Sequence, residues 1–224
     1  MSSRLAAKSL AIDNRAVSNL DHVRWVGGGS GAGKTTVTCL LAERFGIGLY
    51  STDATISVHS EQLDASGAPL IERFRHMSMD DRWVQRDPVT MYATFPWFHG
   101  EGFDLLIEDL QRLPTDRPVL VEGFRLLPRL VLPHVSNPRH AVWLVPTPDF
   151  RQAAFMRRSH ADAFWMRTTD PNRALTNLLE RDRIFTDKID SDAARNGLDV
   201  LYIDGTRTVE SMAKELTARF GLRR

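Results

Sequence analysis

What the chain lacks narrows it first. One cysteine, Cys39, occurs in 224 residues, so neither an intrachain disulfide nor a cysteine-based metal site can form within it. A reducing cytoplasm is its natural setting, and Cys39 reads as a small buried hydrophobe. No apolar stretch approaches the length of a membrane span, and the N-terminus has no apolar core of a secretion signal. The seven histidines are scattered without His-Glu-x-x-His spacing, and no Gly-x-Ser-x-Gly elbow occurs, which leaves metalloenzyme and serine hydrolase readings without support. A net charge of +1 argues against a polyanion-binding surface, so no nucleic acid polymer is an expected partner. Repeats, low-complexity tracts and linkers are missing too, so residues 1–224 read as one domain. The 42% hydrophobic and 25% charged content suits a folded domain with a real core.

What is present is concentrated in eight residues. Gly28-Gly29-Ser30-Gly31-Ala32-Gly33-Lys34-Thr35 fits the pattern Gly, four residues, Gly, Lys, Ser or Thr of a phosphate-binding loop. From the chain's own composition, a shuffled sequence would contain roughly 0.002 such matches, so chance is a poor explanation. The flanks agree. His22 to Val26 is a short, largely apolar run with strand character. Lys34 to Phe45 carries Val37, Leu40, Leu41 and Phe45 at helical spacing. Glycines let consecutive backbone N–H groups converge on phosphate oxygens at a helix N-terminus. Lys34 then reaches the β- and γ-phosphates, the Thr35 hydroxyl ligates Mg²⁺, and Thr36 extends the contact surface. Only four lysines stand beside 25 arginines, which gives the one in this loop added weight.

The rest of the chain alternates strands and helices. Ile47 to Ser51 reads as a second strand ending at Thr52-Asp53, Pro118 to Gly123 as a buried third, His140 to Val145 as a fourth and Leu198 to Ile203 as a fifth. Residues 55–113 have no strong strand signal and read as a helical substrate lobe. Helices are expected from Pro148 through Arg158, over Asn172 to Ala194, and at the end to about Phe220. Residues 1–20 form an extension in which Leu5, Leu10 and Ile12 could dock a short amphipathic helix. This order predicts an α/β fold with parallel strands and ligands at the C-terminal strand ends, where the loop, Asp53 and Glu122 all fall.

On the glycine loop with its flanks, and in outline over residues 23–221, the chain resembles the P-loop kinases of the nucleoside monophosphate kinase-like superfamily. That resemblance implies a three-layer P-loop NTPase fold with a five-stranded parallel sheet in the order 2-3-1-4-5, a helical substrate lobe, an arginine-bearing lid at 157–183, and ATP with Mg²⁺. Ser51-Thr52-Asp53 is similar to the acidic strand end of shikimate kinases, gluconate kinases, chloramphenicol phosphotransferases and 2-phosphoglycerate kinases. The resemblance hands Asp53 the role of orienting or deprotonating the acceptor hydroxyl. Helix capping by Asp53 is the alternative. Glu122 looks like the acid that holds Mg²⁺ through water or touches substrate, with Gly123, Phe124 and Arg125 beside it. The lid position implies that Arg157 contacts ATP and that Arg158 and Arg167 act in catalysis, with Arg181 and Arg183 just beyond, since a guanidinium binds phosphate oxygens as a fork. Asp204-Gly205-Thr206 resembles the loop that lies near adenine.

In the lobe, Arg82 and Arg86 are the candidate clamp for an acceptor bearing phosphate or carboxylate. Trp83 and Trp97 line the pocket if the acceptor is an apolar or aromatic alcohol, or form the lobe's core. The function expected is transfer of the γ-phosphoryl group of ATP to a hydroxyl of a small metabolite or antibiotic. A nucleoside or nucleotide kinase and a regulatory P-loop ATPase are the alternatives, the latter without an Asn-Lys-x-Asp guanine-recognition sequence. A homodimer is compatible with all three.

Overall fold

The computed structural model describes residues 20–158 and 163–223, without the side chain of Arg158. The N-terminal extension, with Leu5, Leu10 and Ile12, therefore lies outside the described residues, except for Leu20.

Five strands form one parallel sheet in the order β2-β3-β1-β4-β5: β1 (Val23–Gly28), β2 (Gly48–Ser51), β3 (Val119–Glu122), β4 (Ala141–Pro146) and β5 (Val200–Ile203). The three central strands are apolar almost throughout because both faces of the sheet are covered. Side chains alternate between the faces. Val26, Leu120, Val142 and Leu144 point to a layer made by α1 (Lys34–Phe45) and α11 (Val209–Phe220). Val23, Trp25, Val121, Trp143 and Val145 point to the opposite layer. That layer is dominated by the 25-residue α10 (Pro171–Arg195), which is started by Asp170 accepting from the Arg173 N–H.

Between β2 and β3 the chain makes six short helices: α2 (Ile56–Glu61), α3 (Pro69–Arg75), α4 (Met79–Trp83), α5 (Pro88–Thr94), α6 (Pro96–His99) and α7 (Phe103–Gln111). Prolines open α3, α5 and α6, where the missing N–H costs no helical bond. This lobe packs on α10, mainly through α5 and α4. After β3 come α8 (Pro128–Val131) and two 3₁₀ turns; after β4 comes α9 (Pro148–Arg158), and Phe164–Arg167 forms a further 3₁₀ turn before α10. No helix among the described residues is long and apolar enough to cross a membrane.

The α/β architecture, the parallel sheet and its strand order agree with the expectation, and strand ends move by one or two residues. Cys39 differs. It is exposed, because α1 turns Lys34, Val37, Thr38 and Leu41 inward and residue 39 falls on the outer side of the 3.6-residue repeat.

Candidate active site

The glycine loop leaves the C-terminal end of β1 and enters α1. Gly28 has φ +118°, and a Cβ there would run into the backbone of Leu144 on the neighbouring β4, so only glycine fits this position. Gly33 precedes α1 in a left-handed conformation, with no side chain capping the helix and no acidic residue in its first turn. The start of α1 thus lines the cavity at the positive end of the helix dipole. Lys34 folds back over the loop. Its ammonium donates to the Gly28 carbonyl at 3.1 Å and to the Gly29 carbonyl at 2.8 Å, and the side chain is buried. Residues 30–35 form one wall of a cavity of about 490 Å³.

Parallel register sets the acidic groups. Ser51 on β2 and Val26 on β1 both lie level with Glu122 at the end of β3. Glu122 is buried and accepts from Ser51 Oγ at 2.7 Å and from Thr35 Oγ1 at 3.2 Å. Its carboxylate therefore sits beneath the first turn of α1. Asp53 follows two residues after the β2 end. Its neighbour Thr52 is buried, donates its N–H to the Glu122 carbonyl at 2.9 Å and its hydroxyl to Asp53 Oδ1 at 3.3 Å. A Cβ on Gly123, at φ +146°, would collide with Thr52 Oγ1, so glycine at the β3 exit lets the Thr52-Asp53 corner close. Asp53 does not cap α2: Thr55 is the N-cap, without a side-chain bond. Asp53 is exposed and lines the same cavity as the loop.

A buried brace holds this corner. Arg125 Nη1 donates to the Thr52 carbonyl at 3.1 Å and to Thr55 Oγ1 at 3.3 Å. Its Nη2 donates to the Gly102 carbonyl at 3.0 Å and to His59 Nδ1 at 3.1 Å. Because a guanidinium only donates, His59 Nδ1 accepts, and Nε2 carries the proton toward Asp109 Oδ2 at 2.9 Å. Tyr50 adds its hydroxyl to the same Asp109 oxygen at 2.6 Å. Burial lowers the Arg125 pKa, against the opposing charges of Tyr50, Asp53 and Asp109. Burial raises the Tyr50 phenol, helped by the bond to Asp109, to about 12. For Asp109 burial opposes ionisation, yet the bonds from Tyr50 and His59 outweigh it and hold the carboxyl below its ordinary value. Nothing in sequence periodicity marks His59, Tyr50 and Asp109 as partners; the three meet only when β2, α2 and α7 are assembled.

The remaining predicted residues separate into two groups. Trp83 and Trp97 line the cavity and are also buried in the aromatic core, so lining and core are one role here. Arg82 and Arg86 do not line it. Arg82 lies over the Phe74 ring at 4.5 Å and donates to the carbonyls of Phe74 and Arg75. Arg86 donates to the carbonyls of Asp81 and Arg82 and to Thr94 Oγ1. Both guanidiniums tie the lobe's own helices together. Arg157 is exposed and faces the Phe150 ring at 5.8 Å; Arg167 is exposed at the end of its 3₁₀ turn. The Arg158 side chain lies outside the described residues. Asp204 closes on Thr206 within the turn after β5, and Thr36 is exposed in the first turn of α1. Arg183 bridges Glu180 and Asp187 on the outside of α10. Its near neighbours Arg181 and Asp182 are buried and line the cavity; Asp182 carried no signal in the sequence beyond its place in a helix.

No family model and no curated protein matches the chain. Among solved structures it is similar to an uncharacterized protein from Eubacterium ventriosum, at 15% identity and a TM-score of 0.43, over 90% of this chain and 98% of that one. It is also similar to NadR protein in complex with NR, at 13% identity and a TM-score of 0.43, over 92% of this chain and 54% of that one. The chain thus spans about half the length of the NadR chain.

Proposed function

We propose that this chain is a P-loop phosphotransferase that moves the γ-phosphoryl group of ATP to a hydroxyl of a small molecule. The observation that carries the reading is that one cavity is lined both by the glycine loop with its inward-held lysine and by the Asp53 carboxylate. The donor set suits a triphosphate. The N–H groups at the start of α1 and the Lys34 ammonium are all donors, which is what phosphate oxygens require.

The same place suits Mg²⁺. The Thr35 hydroxyl and the Glu122 carboxylate are hard oxygen donors 3.2 Å apart, and Mg²⁺ prefers few protein ligands together with phosphate oxygens and water. Once bound, Mg²⁺ offsets negative charge on the transferring phosphoryl oxygens.

Within this arrangement Asp53 accepts the proton of the acceptor hydroxyl as its oxygen bonds to the γ-phosphorus. The bond from that phosphorus to the bridging oxygen breaks, and ADP leaves with the electron pair. Lys34 steadies charge at the phosphates, and the loop's backbone donors fix them in line. Ser51 and Thr35 hold the Glu122 carboxylate in one orientation. The test is ATP consumption with candidate alcohols by the wild type, Lys34→Ala and Asp53→Ala; full activity in both variants would overturn the reading.

A further inference from the structure

The cavity's second half is walled by rings. Trp83, Phe95, Trp97 and Phe98 come from the lobe, and Phe164 and Trp165 from the segment before α10. Several of these rings already meet one another edge-on or tilted, with Phe95 5.0 Å from Trp97 and Trp83 4.7 Å from Phe164. Flat, rigid apolar walls in a cavity of about 490 Å³ fit a planar ring better than a flexible polyol, whose hydroxyls would lose water without gaining partners.

Charge narrows the choice further. Among the described residues, the charged side chains lining the cavity are Lys34, Asp53, Arg181 and Asp182. Lys34 belongs to the glycine loop. Arg181 is already neutralised: Nε and Nη2 donate to Asp182 Oδ1 at 2.9 and 2.6 Å, and its guanidinium carbon packs 4.3 Å from the Phe95 ring centre, with Trp83 and Phe98 at 5.0 and 5.1 Å. With a triphosphate against Lys34, the acceptor meets the exposed Asp53 carboxylate and the Arg181–Asp182 pair. An acceptor carrying phosphate or carboxylate finds no cation among the described lining residues that is not already engaged, and Arg82 and Arg86 are committed elsewhere.

The pair is incomplete, however. Asp182 Oδ2, Arg181 Nη1 and the Trp97 indole N–H are all buried without a hydrogen-bond partner among the described residues, and all three residues line the cavity. Leaving such groups unmatched is costly, most of all for a carboxylate oxygen. A ligand edge with one donor and one acceptor would match two of them, the donor going to Asp182 Oδ2 and the acceptor taking the Trp97 indole proton.

We infer that the phosphoryl acceptor is an uncharged alcohol on a planar ring whose edge offers both a hydrogen-bond donor and an acceptor, as an amide or a lactam-type heterocycle does. This rests on the phosphotransferase reading above and supplies its substrate class. Asp182 is the residue that selects for the donor, and the ring walls select for planarity.

The experiment is a titration of the full chain, followed by tryptophan fluorescence and calorimetry, with a non-hydrolysable ATP analogue bound. The probes are uridine, hydroxymethyl-benzamide, benzyl alcohol, uridine monophosphate and gluconate. Uridine or hydroxymethyl-benzamide should bind at least about ten-fold more tightly than the other three, and which of the two wins tells whether the ring is a nucleobase or an aryl amide. Asp182→Asn should cost the preferred probe about ten-fold and leave benzyl alcohol unchanged, whereas Phe164→Ala, at a half-buried position, should weaken every ring probe. If Asp182→Asn does not fold, Trp97→Phe removes the facing donor without touching the ion pair and should show the same selective loss.

Preference for the monophosphate or for gluconate overturns the inference, as does an equal loss for benzyl alcohol, or no binding by any probe. Binding of the ATP analogue alone is titrated first. Its failure sinks the phosphotransferase reading, whereas ring selectivity failing with the analogue bound sinks only the substrate class.

Discussion

The two walls of the cavity are made by different physics. The glycine-loop wall is mostly backbone: its N–H groups, its left-handed glycines and the register that places Ser51 level with Glu122 follow from a strand, a turn and a helix in fixed order. The lobe wall is mostly side chains, whose positions come from six short helices packed on α10. A wall made by backbone tolerates few sequences, because each glycine answers a steric demand. A wall made by side chains can change its chemistry without changing its outline. Under the proposed function, nucleotide handling falls to the first wall and acceptor choice to the second, with Asp53 lining the same cavity as both.

The sharpest way to break that division is at Asp53 itself. Asp53→Asn should lower turnover by about 10²–10⁴-fold, the range for loss of a positioned general base, while ATP affinity stays at the wild-type level in a direct titration. Lys34→Ala should do the opposite in kind, losing ATP affinity together with rate, by about 10²–10³-fold in rate as for loss of one preorganised donor. Equal effects of the two variants on ATP affinity would mean that the walls do not divide the work.

Legibility in the sequence follows the same line. The five strands, the helical lobe and the placement of Lys34, Thr35, Asp53 and Glu122 at one sheet edge were readable, since periodicity and the glycine octapeptide report backbone requirements, whereas the strand order came only with the family resemblance. Arg82 and Arg86 looked like ligand clamps because an arginine's type shows its chemistry but not its direction; in the lobe both turn onto carbonyls of their own helices. Arg181 and Asp182 are adjacent in a helical run, where neighbouring residues are ordinarily turned apart. Only the aromatic packing around the guanidinium brings the pair into the cavity. Asp109 and His59 are 50 residues apart and are joined only by folding.

The brace behind Asp53 sharpens the comparison on the stability side. Arg125→Met would leave the Thr52 and Gly102 carbonyls and His59 Nδ1 unmatched in a buried place, at a cost on the order of 3 kcal/mol. The check is a lower urea midpoint with an unchanged slope. Arg82→Met, which removes a half-exposed guanidinium from the outside of the lobe, should cost about 1 kcal/mol or less. Similar losses for the two would remove the brace as a distinct element.

Asp109 makes the brace sensitive to acid. Its folded pKa lies below its ordinary value, so its contribution is present above the unfolded pKa of about 4 and is lost as pH falls through the lower folded value. Asp109→Asn should therefore destabilise by about 1–2 kcal/mol at pH 7, and melts repeated at falling pH should show the gap closing below about pH 4. A gap independent of pH would assign the loss to shape instead of charge.

The smallest effect comes at the alkaline end and probes the same oxygen. Tyr50 keeps its proton to about pH 12 in the folded chain, against about 10 for an ordinary phenol, first because burial disfavours the phenolate and then because the proton is held by its bond to the Asp109 carboxylate, whose charge adds to the effect. A raised folded value stabilises fully below pH 10 and is lost between about 10 and 12, so at neutral pH Tyr50→Phe removes only the hydroxyl's bonds to Asp109 and, at 3.4 Å, to Thr55 Oγ1, about 1 kcal/mol. The signature is spectroscopic: absorbance titration of the wild type should show a late tyrosine step near pH 12 that Tyr50→Phe deletes. Asp109→Asn should move that step toward lower pH by taking away the repelling charge. A late step that ignores Asp109 would mean that burial alone holds the proton, and the link from β2 to α7 would then contribute geometry but no charge coupling.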